Sequence, residues 1–203
     1  MKTLMTNNTE KTTSIIAATA MILSIGLPNI FAETPIADWY WDDDANICYL
    51  DTELNTLNWS GAGTGYATQI KARIANAVST YNAYMNGVDL NNNDTCSGDR
   101  IELGAQDLAE ATYLAQLTDW DETSNILSQA DIDFNTDFTF YGDTNQCYPY
   151  YDIEWVANHE IGHAVGLDHN EGWFANSVMV PNCAGSWSTI QSDDSDALDT
   201  HYG

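Results

Sequence analysis

Three of the four histidines in this chain of 203 residues lie in one short segment, HEIGHAVGLDH, which begins at His159 and ends at His169. Asp152 can cap a helix that runs into this segment, and residues four apart on a helix lie on the same face. His159 and His163 could therefore bind one metal ion together. A continuing helix would carry His169 away from that ion, but Gly166 can adopt the left-handed conformation that ends a helix and turns the chain back. The segment predicts a metal site with three imidazole ligands.

The three imidazoles leave the fourth tetrahedral position of a zinc ion open to water, as in catalytic rather than structural zinc sites. Glu160 follows the first ligand in sequence. We expect it to accept a proton from zinc-bound water as this water attacks a peptide carbonyl, and then to pass the proton to the leaving amine. The segment thus predicts one catalytic Zn²⁺, bound by His159, His163 and His169, with Glu160 as the catalytic residue. A lone helical histidine is usually structural, but core histidines have no reason to keep metal spacing around a carboxylate.

These residues resemble the signature of the metzincin zinc endopeptidases, and the last third of the chain narrows the resemblance to the matrixins. The sequence SVMVP at residues 177–181 is similar to their Met-turn, in which Met179 would form a hydrophobic floor beneath the zinc. Pro181 stands where astacins and serralysins place a tyrosine that can reach the zinc, so no tyrosine ligand is expected. The resemblance is close over 151–203, moderate over 130–141 and limited to the order of elements over 33–99.

The resemblance implies an α+β, zincin-like fold with two lobes. The upper lobe, about 33–169, would hold a twisted mixed sheet and two long helices, and a small lower lobe would follow at about 170–203. A peptide or protein substrate would bind in the cleft as an extended strand, with 110–117 as the candidate sheet edge. Pro181 and Asn182 would wall the pocket for the side chain after the scissile bond.

The sequence differs from the animal matrixins in two features, the structural zinc site and the cysteine-switch propeptide. The histidines that hold a second, structural zinc in animal matrixins are missing, and the carboxylates of Asp131, Asp133 and Asp137 stand near that place. They could hold a calcium ion instead. No cysteine-switch propeptide is expected, so the resemblance is to a prokaryotic-type matrixin.

Residues 1–32 predict an export signal, because Lys2 and Lys11 precede an apolar run over 14–27. This run is shorter than the roughly 20 residues that a membrane-spanning helix needs. We therefore expect cleavage near residue 32, a secreted catalytic domain over 33–203 and no stable membrane insertion afterwards. Retention at the cell surface by an uncleaved signal anchor is the alternative.

The charge and the cysteine content indicate which environment and which partners suit this protein. The formal net charge is −25, which would repel phosphate backbones and excludes nucleic acid as a partner. Four cysteines in an exported chain favour two disulfides, although the sequence alone allows three pairings. Cys147 precedes the metal helix and Cys183 follows the Met-turn, so we expect these two to pair, which leaves Cys48 to pair with Cys96. We expect a monomer.

The first half of the chain carries weaker signals. Apolar residues at three- and four-residue steps predict a helix from Ile70 to Met85 that Asn86 and Gly87 close. The segment 33–60 is expected to wrap around the core with one strand. The polar stretch 89–94 is interpreted as a solvated loop, with a calcium loop as the alternative. Alternating or apolar runs predict strands over 100–103, 110–117, 131–135 and 138–141.

One competing function class stays open at this point. An acidic exported metal-binding or surface-layer module could keep a metal for stability and catalyse no reaction. Such a module predicts bound metal without turnover, whereas an endopeptidase predicts peptide hydrolysis that depends on zinc and on Glu160.

Overall fold

The structure is a computed structural model, which describes residues 36–60, 66–109, 112–142, 149–172, 175–181 and 189–203. The predicted signal peptide, Asn182, Cys147 and Cys183 lie outside the described residues, and what was expected of them stays a prediction. The elements follow in the order β1 (Ala45–Tyr49), α1 (Asp51–Leu54), β2 (Asn58–Trp59), α2 (Ala67–Tyr81), β3 (Leu90–Asn91), β4 (Arg100–Gln106), β5 (Ala115–Thr123), β6 (Ile126–Asn135), β7 (Thr139–Tyr141), β8 (Tyr151–Asp152), α3 (Ile153–Ala164) and α4 (Ser192–Tyr202).

The main sheet has five strands in the order β3-β1-β4-β6-β5. The pairs β1/β3, β1/β4 and β4/β6 are parallel, whereas β5 pairs with β6 antiparallel through a tight turn at Ser124 and Asn125. Both turn residues have positive φ, 56° and 70°, the backbone that two-residue hairpin turns need and that asparagine tolerates. A second, all-parallel sheet has the order β2-β7-β8. The mixed sheet is as predicted, and β5 lies at its edge.

Alternation along β6 explains why this strand could be recognised. Ala130, Ile132 and Phe134 are buried in the core, while Asp131 and Asp133 lie on the other face of the sheet. Strand β5 was predicted only in part. Its second half, 118–123, is mostly exposed and is polar apart from Trp120, as is common at a protected sheet edge, and so carries no alternating hydrophobic pattern that would reveal it.

Helix α2 was predicted three to four residues too far along the chain, since it begins at Ala67 and not at Ile70. Its apolar face, with Ile70, Ile74 and Val78, is buried as expected, but the helix ends at Tyr81. The side chain of Asn82 accepts from the Leu90 backbone N–H at 2.8 Å and donates to the Leu90 carbonyl at 3.0 Å, and such side-chain bonds compete with helix continuation. Gly87 does take the expected left-handed conformation, at φ +81°, six residues after the helix has ended.

The segments on either side of α2 are also more ordered than expected. Residues 36–60 contain β1, α1 and β2 rather than one strand, and the polar stretch contributes β3. In that stretch Asp94 accepts from Lys71 at 2.8 Å and from the Tyr49 backbone N–H at 3.1 Å. These bonds give Asp94 a structural role, and the alternative of a calcium loop receives no support.

The predicted pairing of Cys48 with Cys96 is confirmed. The two sulfurs are bonded, with their Cα atoms 4.9 Å apart, and the bridge joins the buried strand β1 to the loop before β4. It closes a loop with a sequence separation of 48 residues that includes α1, α2 and β3. Among the described residues, no helix has the length and apolar character needed to cross a membrane.

We predict that replacing both cysteines, Cys48→Ala with Cys96→Ala, lowers the free energy of unfolding by about 4 kcal/mol, because a loop of this length gains that much chain entropy when it is released. Chemical denaturation of the double variant and the wild type measures the difference. Ser97→Ala, in the same exposed loop, serves as the control and should change little. A double variant within about 1 kcal/mol of the wild type would contradict the prediction.

Candidate metal centre

Helix α3 begins where the sequence predicts. Asp152, at the N-cap, accepts from the Glu154 backbone N–H at 2.9 Å, which satisfies one of the free donors of the first turn. The helix packs against α2, where the Tyr81 hydroxyl donates to the Asn158 carbonyl at 2.5 Å. The residue before the first histidine is thereby fixed in the core.

The predicted end of α3 is also confirmed. Gly166 has φ +90°, and the Leu167 backbone N–H donates back to the Gly162 carbonyl at 2.8 Å. Two observations exclude a side chain at residue 166. The positive φ is strained for any residue with a Cβ, and that Cβ would lie 2.5 Å from the Trp39 carbonyl oxygen. The chain reverses here, and His169 returns towards the helix.

The three histidines converge on one point. The Nε2 atom of His169 lies 3.2 Å from that of His159 and 3.1 Å from that of His163. The Nδ1 atom of His159 is 2.9 Å from the Val178 carbonyl and that of His163 is 2.9 Å from the Leu167 carbonyl. A carbonyl oxygen only accepts, so both Nδ1 atoms carry the proton and both Nε2 atoms present lone pairs. Among the described residues, these three form the one group of metal-binding side chains.

This arrangement fits a zinc ion. Tetrahedral zinc with Zn–N bonds of 2.0–2.1 Å holds its ligand nitrogens about 3.3 Å apart, close to the separations here. The Nε2 lone pairs of His159 and His163 both face the Nε2 atom of His169. Neutral His169 has one ring proton, which can be donated to only one of these two neighbours. The remaining lone pairs repel each other at this range unless a cation lies between them. Burial, with the other imidazoles adding to it, lowers the pKa of His159 to about 3, and burial also lowers the pKa of His163. Both rings are therefore neutral at physiological pH, as metal ligands must be.

Glu160 lies beside this group and is almost completely buried, at 7% exposure. Burial raises the pKa of its carboxyl group to about 8, and a hydrogen bond from the Leu117 backbone partly opposes this shift. That bond joins α3 to the edge strand β5. Glu160 and the three histidines line one cleft, so a carboxyl group stands next to the metal position without belonging to the histidine group.

The segment around Met179 supports the centre from below. Met179 is fully buried, and its sulfur packs against Gly162, where any added Cβ would collide with it. The turn is held by Asp194 of α4, which accepts from the Ser177 hydroxyl at 2.5 Å and from the Val178 backbone N–H at 2.8 Å. The Val178 carbonyl is in turn the partner of His159. That Met179 forms a hydrophobic floor beneath a zinc ion stays a prediction.

Comparison with known protein families agrees with this geometry. The matrixin family model matches residues 102–203, half of the chain. The chain belongs to the matrixin family. This matrixin therefore has the metzincin fold, and its family consists of zinc metalloproteases. A comparison with curated proteins found no match.

The cleft of this matrixin encloses about 630 Å³ between β5 and the segment around Pro181. Ala115, Gln116 and Leu117 of the edge strand form one side, so the predicted edge segment 110–117 does reach the cleft through its described part. Among the described residues, the Trp155 indole nitrogen in the cleft wall is the one buried side-chain polar atom without a hydrogen-bond partner. An acceptor added at this wall would be favourable.

The expected calcium site receives no support. Asp131 accepts from Gln129 at 2.9 Å and Asp133 accepts from the Thr118 hydroxyl at 2.8 Å. Asp137 belongs instead to the turn after β6, where its backbone N–H donates to Asn135. Within the described ranges no carboxylates meet in a metal-binding group. The spacing in the sequence placed two carboxylates on one face of a strand, but their neighbours already bind them.

Sequence reasoning missed the residues that hold the end of α3. No motif in the sequence singles out Trp39, Trp41 or His201. The two indoles donate to carbonyls at the C-terminal end of α3, and His201 contacts the Trp39 carbonyl at 3.0 Å. No local pattern could reveal this, because the partners are more than 120 residues apart along the chain.

We predict that His159→Ala, His163→Ala and His169→Ala each remove most of the bound zinc, because two imidazoles bind the ion far less tightly than three. Asp168→Ala is the matched control next to the third histidine. The Asp168 side chain is exposed and accepts only from the His169 backbone N–H at 2.7 Å, so its removal should leave zinc near one equivalent. Metal analysis of the purified variants measures this. A loss in Asp168→Ala equal to that in His169→Ala would show that the ligand set is wrong.

Proposed function

We propose that this matrixin is a secreted zinc-dependent endopeptidase. The observation that carries the proposal is that one cleft contains three converging imidazole nitrogens, a buried carboxyl group and the edge strand of the described sheet. A ligand set alone would serve a structural metal equally well. A carboxyl group beside an open metal position, at the edge of a strand that can pair with a peptide, supports hydrolysis of peptide bonds.

In this proposal His159, His163 and His169 hold one zinc ion through their Nε2 atoms. A bound zinc ion supplies Lewis acidity, which lowers the pKa of water and polarises a carbonyl group. The chain contributes the orientation of its ligands. The carbonyls of Val178 and Leu167 fix the tautomer and ring plane of the first two histidines, and such partners also raise the basicity of a ligand.

Glu160 is the proposed general base and general acid. In its ionised form, which the positive charge of a bound zinc ion would favour over the effect of burial, its carboxylate would take a proton from the attacking water at one oxygen. It would return that proton to the amine nitrogen that leaves. Its position next to a ligand in sequence keeps it in the same cleft, and the Leu117 backbone N–H holds it against β5. A carboxyl group shielded from bulk water can hold the proton between the two transfers.

The edge strand supports an extended substrate. Among the strands that the structure describes, β5 pairs with β6 alone, so groups on the other side of its backbone, apart from the Leu117 N–H that Glu160 uses, can form main-chain hydrogen bonds with a peptide. Ala115–Leu117 would therefore align the peptide along the cleft, and Pro181, with Asn182, would wall the pocket for the side chain that follows the scissile bond. Apolar side chains such as Phe138, Tyr151 and Val156 line the cleft, which favours an apolar side chain there.

We also propose the domain arrangement and the location. Residues 1–32 would be a signal peptide, and 33–203 a single catalytic domain, with an upper lobe to about 169 and a lower lobe after it. The disulfide between Cys48 and Cys96 supports an oxidising, extracellular environment. The protein would act as a monomer.

We predict that Glu160→Gln keeps zinc near one equivalent, because the amide has almost the same shape and the three imidazoles remain. Peptide hydrolysis should fall by about 10²- to 10⁴-fold, the usual contribution of general acid–base catalysis. Zinc content and cleavage of a mixed peptide library, with and without a chelator, are measured on the same preparations.

Glu154→Gln is the matched control. Glu154 lies on the same helix, but its carboxylate accepts from Asn76 and pairs with Arg73, and it is not among the described residues that line the cleft. This variant should keep its cleavage rate. Full zinc with an unchanged rate in Glu160→Gln would remove Glu160 from the mechanism. Full zinc without cleavage by the wild type would instead favour a metal-binding or surface-layer module without turnover.

A further inference from the structure

The C-terminal end of α3 does not rely on water for its free carbonyls. A helix leaves its last four carbonyls without partners inside the helix. Here four consecutive carbonyls, the last two of α3 and the next two in the turn after it, each accept from a donor outside the helix. Three of these donors lie on residues 36–41 and one lies on α4. The bonds run from Trp39 Nε1 to His163 at 3.2 Å, from Trp41 Nε1 to Ala164 at 2.8 Å, from the Tyr202 hydroxyl to Val165 at 3.0 Å and from the Ala37 backbone N–H to Gly166 at 2.7 Å. The His163 carbonyl also accepts from the Gly166 backbone N–H at 3.0 Å.

We call residues 36–41, together with His201 and Tyr202 of α4, the clamp. Its members also bind one another. The Tyr202 hydroxyl accepts from the Trp41 backbone N–H at 3.3 Å, and His201 donates from Nε2 to the Trp39 carbonyl at 3.0 Å. Trp41 is buried, at 1% exposure. Water cannot readily replace these donors, because the carbonyls near Trp41 are buried with it.

The clamp reaches the backbone of His163 directly through Trp39, and it reaches the imidazoles of the proposed metal ligands through Leu167. Ile36 forms an antiparallel bridge with Leu167, and the Leu167 carbonyl accepts from Nδ1 of His163 at 2.9 Å. Leu167 also lies two residues before His169. The position of Leu167 therefore sets both the tautomer of the second ligand and the direction from which the third approaches.

We propose that the clamp determines zinc affinity, with Trp41 and Tyr202 acting as positioning residues for His163 and His169. The inference rests on the proposed metal ligands but not on turnover. Without the two donors, the turn at residues 165–167 can shift, and the three nitrogens then no longer hold the spacing that zinc requires. Loss of a group that orients metal ligands typically lowers metal affinity by 10- to 100-fold. We expect a loss in this range from each of Trp41→Phe and Tyr202→Phe. Tyr202→Phe keeps its ring and removes only the donor, whereas Trp41→Phe removes the donor together with the five-membered part of the indole ring.

The test measures zinc dissociation constants by competition with a chromophoric chelator. Trp59→Phe is the matched control, since Trp59 stacks on Tyr66 at 6.4 Å and forms no part of the clamp. Thermal unfolding of each zinc-free protein shows whether it is folded at the assay temperature. Nitrogen NMR of the histidine rings in the zinc-free proteins adds a second readout. We expect His163 to be protonated at Nδ1 in the wild type and in Trp59→Phe, and to be a mixture of tautomers in the clamp variants.

The proposal predicts a dissociation constant at least tenfold higher in folded Trp41→Phe and in folded Tyr202→Phe, with a change of less than twofold in Trp59→Phe. Wild-type affinity and an unchanged His163 tautomer in either folded clamp variant would overturn it. An equal loss in Trp59→Phe would also overturn it, since any core change would then have the effect. If Trp41→Phe does not fold, Tyr202→Phe decides.

Failure of the proposed function gives a different pattern. A wild type that binds zinc and cleaves no peptide would refute the endopeptidase, while the comparison of zinc affinities would still test the clamp. A wild type that binds no zinc would refute both.

Discussion

The left-handed turn at Gly166 is the constraint on which the rest of this matrixin depends. Helix α3 can present two histidines on one face by its own periodicity, but the third nitrogen requires the chain to reverse within three residues. Only a residue without a side chain fits, because φ is +90° and the Trp39 carbonyl lies where a Cβ would be. The lower lobe then begins at a fixed point, with Asn170 donating its backbone N–H to the Met179 carbonyl at 3.0 Å.

The features of the site that the sequence predicts are local. Helix α3, its cap at Asp152 and its end at Gly166 follow from neighbouring residues, so one short segment was sufficient to place three histidines. Where the structure departs from expectation, a distant partner is responsible. Helix α2 ends early because Asn82 binds Leu90, and the second half of β5 exists because β6 pairs with it. Periodicity reports burial, and it carries no information about partners in another part of the chain.

The roles of polar residues are harder to predict than those of apolar residues, because many of their partners lie in another part of the chain. Asp131 and Asp133 lie on one face of β6, and their spacing in the sequence is compatible with a shared metal ion. Asp131 is bound by Gln129, two residues earlier on the same strand, whereas the bond from Thr118 of β5 to Asp133 depends on how the two strands pair. The two tryptophans of the clamp show the converse. Burial of Trp41 follows from its apolar ring, but its indole nitrogen finds a carbonyl that only the folded chain brings near.

The same N-terminal residues connect the two sides of the cleft. Tyr40 bridges to Ile126 at the β5–β6 hairpin, where its N–H donates to the Asn125 carbonyl and its own carbonyl accepts from Leu127, both at 2.9 Å. Its neighbours Trp39 and Trp41 bind the end of α3. A displacement of residues 39–41 would therefore move the turn at residues 165–167 relative to β5, the strand that is proposed to align the substrate. Glu160, bound to Leu117 of that strand, provides the second connection. Two independent connections between the edge strand and α3 would keep the proposed base and the proposed substrate strand in one fixed relation, which is what the proposed attack by one water requires.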